Sequence, residues 1–216
     1  MKHIRLLHKN KVILSVGTSL VVIIAGYLPT LASFDRYPSN GEMQKLKSDF
    51  IQLINQFQQD KVRRGYIQDR RTSAQKQEIQ SFVKAWLKVN PNITPFLGSW
   101  IGYEQIESIY PSNVKDRVCI ISTGEGLESF NFTVGTVSNR QIHTRGDAIY
   151  IKEGNYLGIA VVIDNKPQLN INSPLANPEP LKTPVEWIKD RVIDANQRYT
   201  IAQSFKSQGC VFSRPK

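Results

Sequence analysis

The apolar residues of this chain change their spacing at residue 97. Before it, Met43, Leu46, Phe50, Leu53, Ile54 and Phe57 recur at intervals of three and four, and Ile79, Phe82, Val83, Trp86 and Leu87 repeat the pattern. After it, apolar and polar residues alternate. The first spacing gathers side chains on one stripe of a helix, the second on one face of a strand. The chain is therefore predicted to be α+β, with helices leading an antiparallel sheet.

Local signals place the boundaries. Ser39 with Glu42 three residues on is a reciprocal capping pair, and it predicts a helix running to about Val62. Thr72 or Ser73 caps a second helix, which Asn90-Pro91 stops. Residues 35–96 thus read as a helical hairpin. Residues 97–175 carry short apolar runs separated by turn formers such as Gly124-Glu125-Gly126, Ser138-Asn139, Gly154-Asn155 and Asp164-Asn165. Five or six strands are expected there: 99–106, 117–122, 128–137, 141–152, 156–163 and 168–171. They form an antiparallel meander that curls into a half-barrel or barrel-like sheet. Residues 176–216 comprise a proline-rich connection and a C-terminal helix, opened by Thr183-Pro184-Val185-Glu186 and closed by Gly209. The rival reading makes 198–205 a last strand. Residues 35–216 are expected to be one folded domain.

The first 34 residues are different. Lys2, Arg5, Lys9 and Lys11 precede an uncharged apolar block at 12–28, and no acid occurs before Asp35. A basic head and an apolar block form an export signal or a membrane anchor. Seventeen residues span about 25 Å as a helix, short of a hydrocarbon core of about 30 Å. Pro29, Thr30 and Ala32 resemble a cleavage region. Residues 1–34 thus read as a removed signal peptide or a transmembrane helix retained as an anchor. Either places the remainder outside the cytoplasm, in a periplasm or thylakoid lumen.

Composition narrows the chemistry. The net charge is +10, and four of those charges lie in the head, leaving about +6 for the remainder. That is too dilute for a nucleic-acid binder. The densest cations are Lys61, Arg63, Arg64, Arg70 and Arg71, opposed by Asp69. They form either a solvated loop or a binding surface for anionic lipid head groups or an acidic membrane complex. The two cysteines, Cys119 and Cys210, either pair in an oxidising compartment or remain buried thiols. With His143 the one histidine after the head, neither a metal ligand set nor a His-based catalytic triad is expected, and no cofactor is implied.

Two kinds of site remain. A curved sheet holds a small apolar ligand if aromatic side chains line it, and Trp100, Tyr103, Tyr110, Tyr150 and Tyr156 are the candidates, with Glu104 beside them. At period two, Trp100, Gly102, Glu104 and Ile106 share one face. The preferred reading is a non-enzymatic, exported or membrane-anchored binding or accessory protein. The alternative is an exported hydrolase or cell-wall enzyme using paired carboxylates near Glu104, with Glu107 just past the first strand and Glu125 and Glu128 at a turn.

Gly98-Ser99-Trp100 resembles the opening of lipocalin-type barrels, in which the tryptophan closes the barrel base. The resemblance covers Gly98 and Trp100 alone, lacks the family's second motif, and carries over no binding residue. The basic head, the apolar block and the Trp-Ile-Gly-Tyr-Glu and Ile-Tyr-Pro-Ser segments are similar to exported cyanobacterial proteins, which implies the compartment and no activity.

Overall fold

The structure, a computed structural model, describes residues 35–60, 71–101, 105–124, 130–172 and 195–215. In chain order it contains α1 (Asn40–Gln59), α2 (Ser73–Leu87), a 3-10 turn (Thr94–Phe96), β1 (Gly98–Ile101), β2 (Gln105–Pro111), β3 (Arg117–Gly124), β4 (Phe130–Ser138), β5 (Gln141–Thr144), β6 (Ile149–Glu153), β7 (Tyr156–Ile163), β8 (Lys166–Asn172) and α3 (Ala195–Ser207). The eight strands pair antiparallel with their sequence neighbours, β1 through β8. The fold is α+β, and its sheet is a meander curled into a half-barrel.

Two of the strands expected from sequence are interrupted. The run 99–106 contains most of β1 and the first two residues of β2, the rest of β2 (107–111) falls where no strand is expected, and Ile101 pairs with Ile106. Ile106 therefore lies on the opposite face from Trp100, whose cross-strand partner is Glu107. The run 141–152 divides into β5 and β6 at Arg145-Gly146-Asp147, where Asp147 adopts φ 61°. Two-residue turns at Asn139-Arg140 and Asp164-Asn165 have positive φ at both positions, the geometry that matches strand twist in tight hairpins.

Alternation sorts the sheet into two faces. On the inner face Trp100, Ile109, Val118, Ile120, Val137, Ile142, Tyr150, Leu157, Ile159 and Val161 form one cluster with Ile79, Phe82 and Trp86 of α2. A cluster that joins strands from β1 to β7 requires a concave surface. On the outer face α1 lays Met43, Leu46, Phe50 and Ile54 on Ile149, Ile151, Tyr156 and Ala160. There α3 lays Ile201 and Phe205 on Tyr110, Cys119, Ile121 and Val134. β7 is covered on both sides, which explains its nearly unbroken apolar sequence.

The expected hairpin of α1 and α2 is replaced by packing on opposite faces of the sheet. Each apolar stripe finds its own layer, α1 outside β6–β8 and α2 inside the curl. Both N-termini are built as the sequence implies. Ser39 and Glu42 cap α1 reciprocally, and Thr72 and Gln75 cap α2. Arg36 donates to Glu42 at 2.7 Å and, with the Ser39 contacts, holds that carboxyl at about 2.

The meander gives the half-barrel two distinct ends. One carries the β2–β3, β4–β5 and β6–β7 connections, the other the β3–β4, β5–β6 and β7–β8 connections. The chain enters at the second end, where the Asp35 N–H donates to the Val162 carbonyl at 3.1 Å and the Asp35 carboxylate accepts from the Asn165 N–H. The C-terminal tail closes on the first end. Cys210 is disulfide-bonded to Cys119 of β3, with Cα atoms 5.9 Å apart. The Val211 N–H donates to the Pro111 carbonyl at 2.8 Å. Gly209 allows the turn after α3 at φ 68°, and a Cβ there would collide with the Asn113 side chain.

The head and apolar block, Lys61, Arg63, Arg64, Arg70, Tyr103, Glu104, Glu125, Glu128 and the proline-rich connection lie outside the described residues. No helix among the described residues is long and apolar enough to cross a membrane.

The disulfide closes a separation of 91 residues. Replacing both Cys119 and Cys210 by Ala is expected to cost about 4 kcal/mol, read from urea denaturation curves, with the chain-entropy account as its source.

Candidate functional site

The most polar part of the inner face is built by strands distant in sheet order. Glu107 of β2 is fully buried. Its Oε2 accepts from Ser122 Oγ of β3 at 2.6 Å and from the Tyr150 hydroxyl of β6 at 3.3 Å. β2 and β6 are four strand spacings apart, about 19 Å in a flat sheet, which exceeds the combined reach of a glutamate and a tyrosine. The contact exists because the sheet curls. Asn131 of β4 stands opposite Ser122, and its buried side-chain oxygen has no partner among the described residues.

Trp100 and Lys152 make a second crossing. The Trp100 Nε1–H donates to the Phe96 carbonyl at 2.8 Å, which fixes the indole against the 3-10 turn. The Lys152 ammonium lies 5.8 Å from the Trp100 ring centroid. Partial burial lowers the Lys152 pKa, with Glu153 opposing the shift. Burial also pushes the Tyr150 phenol well above its usual value of 10, and the Glu107 charge adds to the effect.

Chemically, a buried carboxylate that accepts two hydroxyl donors is a satisfied acceptor that cross-links three strands. Ile79, Phe82 and Trp86 of α2, together with Phe96 and Trp100, fill the apolar part of the same face. The inner face is packed with the chain's own side chains. Away from it, a depression on α1 is lined by Ser48, Ile51, Gln52, Asn55, Gln56 and Gln59 of that one helix.

Of the residues singled out by sequence, Trp100 and Tyr150 share the inner face. Tyr110 and Tyr156 occupy the outer face. Tyr110 is buried edge-on against Phe205 with ring centroids 5.1 Å apart, and Tyr156 is buried under α1. They are core residues and do not line the curve. Arg71 immediately precedes the Thr72 cap of α2. His143 sits half-buried on β5 against the Tyr37 ring, and burial lowers its pKa. Ser122 and Lys152 are inner polar groups that the sequence did not identify, and Glu107, a candidate for a carboxylate pair by sequence, joins them as a buried acceptor. Their signal is alternation with Trp100, and it becomes readable only once the β1–β2 register is known. Among the described residues, no three His, Cys, Asp or Glu side chains converge as metal ligands.

The chain matches no protein family model, no curated protein and no solved structure.

Removing the Glu107 carboxylate tests the cross-link. Glu107→Ala leaves the buried Tyr150 hydroxyl and the half-buried Ser122 hydroxyl without their acceptor and is expected to cost about 3 kcal/mol, with Glu107→Gln near half of that. Tyr150→Phe carries a pH signature. The raised phenol contributes stability that is full below the unfolded-chain value of about 10 and is lost as pH rises beyond it, because only the unfolded chain then releases the proton. The stability gap between wild type and Tyr150→Phe is therefore expected to narrow from neutral pH to about pH 11 in urea denaturation. A constant gap would contradict this assignment.

Proposed function

We propose that this chain is an exported, membrane-associated accessory protein of a periplasm or thylakoid lumen, working by binding and not by catalysis. The observation that carries the reading is the Cys119–Cys210 disulfide, which ties the middle of the sheet to the C-terminal tail. Such cross-links persist in oxidising compartments and are rare in the cytosol. The basic head and apolar block supply the matching export signal, retained as an anchor or removed.

The packed inner face supports work at the surface, on a partner, in preference to carriage of an apolar ligand inside the curl. The run Lys61, Arg63, Arg64, Arg70 and Arg71 is one contact for anionic head groups or an acidic membrane complex.

Two measurements test the reading. In fractionated cells, alkylation of free thiols before and after reduction is expected to find both cysteines oxidised and the protein outside the cytosol. Reduced protein in the cytosolic fraction would sink the proposal. Changing Arg63, Arg64, Arg70 and Arg71 to Glu is expected to reduce co-sedimentation with native membranes, and unchanged co-sedimentation would remove the basic run from the binding surface.

A further inference from the structure

Three segments converge at the end of the half-barrel opposite Asp35. The Trp86 Nε1–H donates to the Ser213 carbonyl at 3.1 Å, joining the end of α2 to the tail. The Asn113 N–H donates to the Gly209 carbonyl at 2.8 Å, joining the β2–β3 connection to the same tail. Asn92 Nδ2 donates to the Asp116 carboxylate at 2.9 Å, joining the first segment to the second. These hydrogen bonds make one surface of residues 84–93, 112–117 and 206–215.

That surface exposes large apolar side chains. Leu87 is 52% exposed, Val89 58%, Val114 41% and Phe212 53%. All four face solvent. The same segments hold Lys84, Lys88, Lys115, Arg117, Lys206 and Arg214, against the one acid Asp116. Lys84, Lys88, Lys115, Lys206 and Arg214 are all exposed.

We propose that this end docks on an anionic lipid bilayer, with Leu87, Val89, Val114 and Phe212 entering the head-group region and the cations meeting lipid phosphates. Two arguments select lipid over an acidic protein. Exposed apolar side chains among cations are the composition of interfacial membrane contacts, where apolar burial and head-group attraction add. Lysine is depleted in protein interfaces, whereas its long stem lets the ammonium reach the head groups while the chain beside it sinks. The inference deepens the membrane association proposed above. It places the contact at the end of the half-barrel opposite Asp35.

The test is deuterium exchange of the full chain with vesicles of phosphatidylcholine containing phosphatidylglycerol, against phosphatidylcholine alone. This readout is local, so binding through other parts of the chain does not imitate it. Slowed exchange confined to 84–93, 112–117 and 206–215, present with the anionic vesicles and lost in the combined Lys88→Glu, Lys115→Glu, Arg214→Glu variant, supports the proposal. The single variant Phe212→Ser is expected to weaken the protection without touching the charges. Intact disulfide and unchanged far-UV circular dichroism establish that each variant folds. Unprotected segments overturn the docking face, an outcome that an acidic-protein partner predicts. That result leaves the proposed export standing, since export fails only on the thiol state and the cell fraction.

Discussion

Glu107 and Tyr150 meet across the interior of a sheet whose strands, laid flat, would hold them far apart. Their 3.3 Å contact and the Trp100–Lys152 approach both depend on the curl. The curl in turn creates the two environments that order the rest of the molecule. A concave face closes on α2 and the 3-10 turn, while the convex face offers two separate seats, one for α1 and one for α3. A flat sheet of eight strands would leave the α2 stripe with no concave surface to fill. The buried carboxylate also opposes slippage, since a one-residue shift of β2 would turn Glu107 to the outer face and Ser108 inward.

Much of this architecture is legible in the sequence, because it rests on local rules. The caps at Ser39 and Thr72, the turns at Asn139 and Asp164, and the helical character of 198–205 follow from residue type and spacing. The strand number was not legible. Gly102 lies inside the first run and Gly146-Asp147 inside the fourth, and alternation alone continues the strand through each. One glycine inside an alternating stretch is ambiguous between a bulge and a turn. Pairing across the sheet resolves it, and pairing is not a local property.

The candidate site was less legible for the same reason. Assigning Trp100, Glu104 and Ile106 to one face assumes an unbroken strand. Once the chain turns after Ile101, the inner partner of Trp100 becomes Glu107. Tyr110 and Tyr156 look like lining residues because aromatic side chains suit either face of a strand. Which face is concave depends on helices that pack from both sides, and the amphipathic stripes of α1 and α2 are alike in sequence. Their destinations diverge only because the sheet already separates inside from outside.

The disulfide connects compartment to surface. Cys119 is fully buried under α3, so Cys210 brings the tail to the sheet and the residues after it follow. Val211 then bonds to Pro111, and Ser213 receives the Trp86 indole N–H. Phe212 lies between these two fastened positions, which is why a large aromatic side chain near a chain terminus is held in a defined place and still faces solvent. Arg214 follows immediately and adds charge beside it. Without the cross-link, that arrangement would rest on a few hydrogen bonds at the surface, which open locally at little cost. Oxidation therefore does more than lower the entropy of the unfolded chain. It fastens the apolar and basic groups that follow Cys210 to the sheet.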